Sequence, residues 1–551
     1  MDIHSHGRMT SGGARDQHGS PRSGDHETAL LGGPTWDGEP PAARRRVGGA
    51  LRGAGAALCV VSLALACGPE DGTGEQQSEG SGNAPGAGGS TVPGTGGAPG
   101  GDTGGAPIGG GGGPVGTGGT ATEGKMEVTC AINVLRSEPS ANIATVGVVE
   151  FSTDLQGVDS AVIQFGPTES YIYEAPVDLT EPSYRTLLLG MTQNATYHYR
   201  IAAFAGNNVC FSAAQTIQTG NLPNGGPSNL TSQPGPSAAP AAEGFIVTTT
   251  GLQGSWVYIV NHEGQLVWAY SVGSGGFGFT GITRARMSWD GKHMWARDLN
   301  VSGTNGQGTI YKVAMDGSTS ETFQLSTSHH DFTVTKDNGV AYLAKEGSTG
   351  ANSPCDAIRK IDANGEQNTL VYDLWNALSS FDYQSQLSEL CHANAIQYSE
   401  SEDSFTVSEL YRDVIIKVSA SGQLDWVIGG SHGDFTGDVS WNAQHGHHLI
   451  GPDRLLFFNN NSNGQASRAI ELQLDTTAMT AQQTFNYASG NTHTGQLGDV
   501  QRLPNGNTLV TFSIVGKMDE VDSNGQLVRS LSANAFGYTN FRPTLYGPPV
   551  R

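Results

Sequence analysis

Val414-Ile415-Ile416-Lys417-Val418-Ser419-Ala420-Ser421-Gly422-Gln423-Leu424-Asp425-Trp426 is a β-rich run broken by a Gly-Gln-Leu turn and followed by an aromatic residue. The same order recurs twice: Tyr258-Ile259-Val260 stands ahead of Gly264-Gln265-Leu266 and Trp268, and Met518 to Val521 ahead of Gly525-Gln526-Leu527. Plainer turns follow Tyr311-Lys312-Val313 at Gly317 and Arg359-Lys360-Ile361-Asp362 at Gly365, and a degenerate one follows Ile470 to Asp475. The spacing fits one common period of about 52 residues, which predicts six four-stranded blades around an axis. The expected fold is therefore all-β, a six-bladed β-propeller over residues 228–548, with Trp268 and Trp426 packed between blades. A solenoid of β units would want a shorter period and no closure. Closure has a candidate in Tyr538 to Tyr546, a β-capable segment that can pair with the first blade and remove its exposed edge.

Ahead of the repeats, residues 125–220 show short alternating runs, Ala144 to Phe151, Ala161 to Phe165 and Tyr197 to Phe204, separated by polar turns. They predict a small β-sandwich whose strand order resembles a fibronectin type III domain and in which no chemistry is legible. Residues 68–124 are mostly Gly, Ser, Thr, Pro and Ala, too poor in apolar groups to offset the entropy of ordering, and read as a disordered tether. Arg44-Arg45-Arg46 and the apolar run from Val47 to Ala66 make residues 1–67 an export signal, with small residues before Cys67 pointing to lipidation there. The unusually long polar stretch before that run puts the true start codon in question. The expectation is a membrane-anchored lipoprotein of the cell envelope, at the periplasm or the cell surface. The four later cysteines, in an oxidising compartment, pair most economically as Cys130 with Cys210 and Cys355 with Cys391, each within one domain. A net charge of -22, from 51 acidic against 29 basic residues, with no basic stripe beyond the first fifty positions, argues against a nucleic-acid partner.

Three histidines hold the same address in successive repeats: His330 in His-Asp-Phe-Thr-Val, His392 in His-Ala-Asn-Ala-Ile, and His445 in His-Gly-His-His-Leu. Each stands four residues before an aliphatic one. The first strand of each blade lines the channel of a propeller, so the three imidazoles are expected to meet near the axis. Arg412, in the short connection between Ser404 to Glu409 and Val414 to Val418, shares that mouth, as do Cys355 and Cys391, whose bridge can brace His392. Strand alternation sends His445 and His447 to one side and His448 to the other, and a metal reading of that cluster is weaker beside a cationic Arg412. The Asn459-Asn460-Asn461 run and Arg468 can line a substrate-selecting rim, although such runs often only make turns.

His329-His330-Asp331, His392 with Asn394, Arg412 after Ser408-Glu409, and Gln444-His445, in this order, resemble the arylsulfotransferase family from Glu243 to Tyr546. The chain departs from that pattern at Leu390-Cys391, where the family carries an Asp-Trp pair. The resemblance implies transfer of a sulfuryl group from a phenolic sulfate ester to a phenolic acceptor, without a nucleotide donor; no cofactor or metal is expected. It implies that His445 attacks sulfur, while Arg412, His330 and His392 stabilise the sulfuryl oxygens and the leaving phenolate. His329, Asn394 and Asn459 are placed as substrate-binding residues. The rival expectation is a non-catalytic surface propeller that binds a glycan, a peptide or a partner protein.

Overall fold

The computed structural model describes residues 124–547 apart from 224–225, 228, 274–280, 300–306, 350–353 and 382–390. The export signal, Cys67 and all of the tether but Gly124 lie outside the described residues. What is described is all-β, with one four-residue α-helix at Trp375–Leu378 and a few 3-10 turns.

From Thr231 onward the strands form small sheets, six of them among the described residues, antiparallel except where Thr436–Gly437 runs parallel to Thr480–Tyr487. Their lead strands, named here in chain order, are β1 (Ile282–Met287), β2 (Ser328–Val334), β3 (Ala393–Ser399), β4 (Gln444–Leu449), β5 (Asp499–Arg502) and β6 (Asn540–Arg542). Successive lead strands from β1 to β5 pack against one another. β6 comes from the end of the chain and pairs with Phe245–Thr249, Phe245 opposite Arg542 and Val247 opposite Asn540. At the other end, Thr231–Pro234 pairs with Leu527–Ser532, the outer strand of the sheet that β5 begins. Both ends of this region are thus fastened into sheets built from the opposite end, and the expected pairing of Tyr538 to Tyr546 takes this form.

The sheets stack face to face, so their middle strands are buried on both sides and read as continuous apolar runs rather than alternating ones. Val414, Ile415, Ile416 and Val418 are all fully buried, each contributing about 1.5–3 kcal/mol relative to an exposed side chain. Lys417 within that run is buried as well, its ammonium 3.3 Å from Glu402 and 3.5 Å from Asp425. The turn glycines recur because the turn demands them. Gly264, Gly317, Gly365, Gly422 and Gly525 all take φ between 70° and 84°, and a Cβ on Gly422 would stand 2.5 Å from the Val371 carbonyl oxygen. In the degenerate sixth turn Met479 adopts the left-handed conformation instead, at φ 52°. Trp268 lies between sheets, its indole N–H donating to the Met315 carbonyl at 2.8 Å.

Residues 126–218 form a second, smaller pair of sheets, one of six strands and one of three, around a shared core that includes Phe151, Phe165, Leu188, Tyr199 and Ile217. Cys130 and Cys210 are joined by a disulfide across its edge. This unit packs against the larger region. Ile143, Val146 and Leu189 enter the same apolar cluster as Val257, Val267 and Met315. Lys292 pairs with Asp178 at 2.8 Å, and Tyr546 donates its hydroxyl to the Leu187 carbonyl at 3.0 Å while accepting the Leu189 N–H at 2.7 Å.

One buried cation links the lead strands. Arg284 on β1 donates from Nε and Nη2 to the two carboxylate oxygens of Asp331 on β2, at 2.7 and 3.0 Å, and from Nη1 to Asp499 on β5 at 2.7 Å. Asp331 also accepts the Ile396 N–H of β3, and Asp499 accepts the Thr539 N–H just before β6, both at 3.0 Å. The ring of Tyr538 lies 4.0 Å from the guanidinium carbon, and its hydroxyl donates to the Asn394 carbonyl at 3.0 Å. Burial opposes the charge on Arg284, but the two carboxylates outweigh it and raise its pKa further. Removing one partner of such a cluster leaves uncompensated charge in the interior. Arg284→Met should therefore lower the unfolding free energy by about 3–5 kcal/mol, read as a fall in the urea midpoint at unchanged m-value.

Candidate active site

Each of the first four lead strands has a bulge near its start: between Ile282 and Arg284, His329 and Phe332, Ala393 and Ala395, and Gln444 and His447. A bulge inserts an unpaired residue and re-aims the side chains around it. In β2 the bulge holds His330, with φ at 53° and its N–H donated to the Leu299 carbonyl at 2.7 Å. In β4 it holds His445 and Gly446. Gly446 is pressed so closely to Asp499 that a Cβ there would come 2.1 Å from a carboxylate oxygen.

The bulged strands bring the predicted histidines together. The rings of His330 and His392 meet edge to face with centroids 4.7 Å apart, and His392 also lies 4.8 Å from the ring of Tyr411. His445 is near enough that His392 lowers its pKa, and it in turn lowers that of His330. His445 and His330 are both held neutral at pH 7. Burial is the main cause for His445, with the Asn460 amide and the Ala443 carbonyl working against it and His392 adding to it, so that its pKa falls to about 4. For His330, burial acts first and His392, His329 and Lys345 add to it.

Two buried carboxylates hold these groups. Glu409 accepts the His392 N–H at 2.9 Å and the Tyr411 N–H at 3.3 Å on one oxygen, and the Arg412 N–H at 3.0 Å on the other. The Arg412 guanidinium stands 3.5 Å from Glu409 and is itself buried. Gln444, next to His445, donates to the carbonyls of Glu409 and Val414 at 2.9 and 2.8 Å. Asp356 is the second. It lies 2.9 Å from the Lys345 ammonium and 3.1 Å from His329 Nε2, and it accepts the Ala393 N–H. Burial pushes its carboxyl up, but Lys345 and His329 prevail and hold it well below the usual carboxylate range. His329 Nδ1 lies 2.8 Å from His330 Nδ1, so a file of groups runs from Asp356 through His329 to His330. The disulfide between Cys355 and Cys391 joins the residue before Asp356 to the residue before His392, with Cα atoms 4.9 Å apart.

The residues placed as substrate contacts are all buried. His329 and Asn394 are wholly buried; the Asn394 amide donates to the Gln444 carbonyl at 2.8 Å. Asn459 accepts the Asn442 N–H at 3.2 Å and donates to Asn461 at 2.9 Å, which shapes the loop. Its neighbour Asn460 makes the contact with His445, 2.7 Å from Asn460 Oδ1 to Nδ1. Glu409, Asp356, Lys345 and Tyr411 had no assigned role in the sequence, and Asn460 was read only as part of the Asn run at a substrate-selecting rim; the Ser408-Glu409 pair gave the one other sign. The expected alternation of His445 and His447 fails because the bulge intervenes. His447 turns to Thr406, its Nε2 2.8 Å from the hydroxyl, and His448 Nδ1 accepts the Arg502 N–H at 3.0 Å. Among the described residues no three His, Cys, Asp or Glu side chains gather so as to hold an ion.

The neutral imidazoles of His330 and His445, with His392 and the Arg412 loop held on one carboxylate, make a site suited to a tetrahedral oxyanion and to group transfer. The family model described as Arylsulfotransferase (ASST) matches residues 231–533, and the chain belongs to that family. No curated protein matches it. Among solved structures, a protein of unknown function from Bacteroides caccae is 11% identical, with a TM-score of 0.37 over 54% of this chain and 98% of that one. Virginiamycin B lyase from Staphylococcus aureus is 12% identical, with a TM-score of 0.34 over 55% and 87%.

His445, His447 and His448 all have pKa values lowered to about 4, with burial the first cause in each. An unfolded histidine takes up its proton near pH 6.5, whereas these take it up only near pH 4. The unfolded state therefore binds more protons between those values, and stability is lost as pH falls through that window. Thermal melts should decline from about pH 6.5 toward pH 4, and His448→Gln should make the decline shallower.

Proposed function

We propose that this protein transfers a sulfuryl group from a phenolic sulfate ester to a phenolic acceptor through a sulfo-histidine at His445, without a nucleotide donor. The observation that carries the reading is the convergence of His330, His392 and the Glu409-held Arg412 loop beside a neutral His445. A neutral imidazole has a lone pair for attack. In the first half-reaction a His445 nitrogen forms a bond to sulfur as the bond from sulfur to the phenolic oxygen breaks, and the electron pair leaves with the phenolate. Arg412 neutralises charge on the sulfuryl oxygens, and the His330–His392 pair delivers a proton from its His392 ring to the departing oxygen. In the second, the acceptor phenol gives its proton to the same pair and attacks sulfur, and the nitrogen–sulfur bond breaks. No oxidation state changes. His329 orients His330, while Asn394 and Asn459 shape the strand and loop around the site.

The surrounding architecture in this reading is a closed six-bladed propeller over residues 228–548, its ring completed by β6, with a fibronectin type III-like sandwich over residues 125–220 docked against it. What supports closure is the set of bonds from Arg284, Asp331 and Asp499 that reaches β1, β2, β3, β5 and the start of β6. The reading places the protein outside the cytosol, exported by residues 1–67 and tethered through a lipid on Cys67 by residues 68–124. Its two disulfides are compatible with an oxidising compartment.

The test uses 4-nitrophenyl sulfate as donor and phenol as acceptor. Phenol-dependent release of nitrophenolate is expected, with His445→Asn lowering the rate about 10⁴-fold or more and Arg412→Ala lowering it about 10²–10³-fold. Release that needs no acceptor would make the protein a sulfatase. No release from any aryl sulfate would favour a surface binding protein.

A further inference from the structure

We propose that Asn460 is a positioning residue that fixes His445 as the Nδ1–H tautomer, so that the Nε2 lone pair faces sulfur. The inference rests on the reading of His445 as the sulfuryl carrier. A neutral imidazole has one donor and one acceptor nitrogen, and its partners decide which is which. Here the partner leaves one choice. Asn460 Nδ2 lies 2.7 Å from both the Thr494 and the Leu497 carbonyl oxygens, which can only accept. Reversing the amide would crowd three acceptor oxygens together, so the amide oxygen must be the atom facing His445 at 2.7 Å. Nδ1 then carries the hydrogen, and in the neutral ring Nε2 does not.

The Asn460 backbone is held as firmly as its side chain. Its carbonyl accepts the Ser467 hydroxyl at 2.9 Å, and Ser467 Oγ in turn accepts the Thr494 N–H at 3.0 Å. Around His445 stand His392 and His330 on the site side, the Asn460 amide and the Ala443 carbonyl at the ring, and the Asp499 carboxylate behind Gly446.

An amide also suits the second half-reaction. Once Nε2 bears the sulfo group the ring is a cation with its proton on Nδ1, and an amide oxygen accepts that hydrogen bond without taking the proton. The sulfo-imidazolium stays a good donor, and the electron pair of the nitrogen–sulfur bond returns to Nε2 when the acceptor phenolate attacks. A carboxylate at this position would draw the proton away and slow that discharge.

Two measurements test the proposal. In protein labelled with ¹⁵N-histidine, His445 is assigned as the imidazole missing from the His445→Gln spectrum. At neutral pH its hydrogen should be on Nδ1 and its Nε2 unprotonated; a hydrogen on Nε2 would overturn the inference, whatever the activity. In single-turnover kinetics, Asn460→Ala should slow sulfuryl transfer about 10- to 100-fold with the KM for 4-nitrophenyl sulfate unchanged. Asn460→Asp should move the acid limb of the rate profile above its place near pH 4. An Asn460→Ala enzyme with the wild-type rate and acid limb would contradict the claim, and if that variant does not fold the wild-type spectrum decides. Full activity in His445→Gln would remove the carrier reading but leave the tautomer result to stand by itself.

Discussion

The guanidinium of Arg284, wholly buried and pinned between Asp331 and Asp499, is the constraint on which the arrangement of the lead strands depends. Charges in an interior persist only when paired and hydrogen-bonded. Here the pairing partners sit on three different strands, while β3 and the chain leading into β6 donate their N–H groups to the same carboxylates. A second cation, Arg286, shares the neighbourhood, and burial followed by the charge of Arg284 lowers its pKa to about 10. Two arginines against two aspartates leave the cluster balanced, which lets a polar centre stand where a smaller β-protein would use an apolar core.

That cluster also sets the place of the chemistry. Asp331 directly follows His330, and Asp499 presses against Gly446, the residue after His445. The bulges in β2 and β4 therefore begin where the ion cluster ends, and they turn histidines out of the strand alternation into one shared space. Above this level each histidine is held by a different device: His330 by His329 and Asp356, His392 by Glu409 and the disulfide to Cys355, and His445 by Asn460. Burial then keeps His330 and His445 neutral, so the permanent positive charge at the site comes from Arg412 and Lys345, both paired with carboxylates.

Much of this was legible in the chain because repeats expose what each module needs. The turn glycines at Gly264, Gly317, Gly365, Gly422 and Gly525 stand out since a left-handed φ at a fixed place in a β-hairpin admits little else. The histidine addresses stand out because the same strand position faces the same space in each sheet. What could not be read is what depends on contacts distant in sequence. The period-2 rule put His445 and His447 on one face, and a bulge at Gly446, against Asp499, undid it. Asn459 was preferred to Asn460, because a run of three asparagines reads as a turn and only the Thr494 and Leu497 carbonyls reveal which one is aimed. The docking of the sandwich was not legible because Ile143 and Leu189, and Tyr546 facing them from the larger region, look like ordinary core positions.

The account stands or falls on where the sulfuryl group rests between donor and acceptor. Acid-free rapid quenching of the enzyme with 4-nitrophenyl sulfate alone, followed by peptide mass mapping, measures this directly. One sulfo group should appear on the peptide containing His445 and vanish when phenol is added before quenching. Turnover with no adduct, or an adduct on another residue that phenol discharges at the catalytic rate, would contradict it.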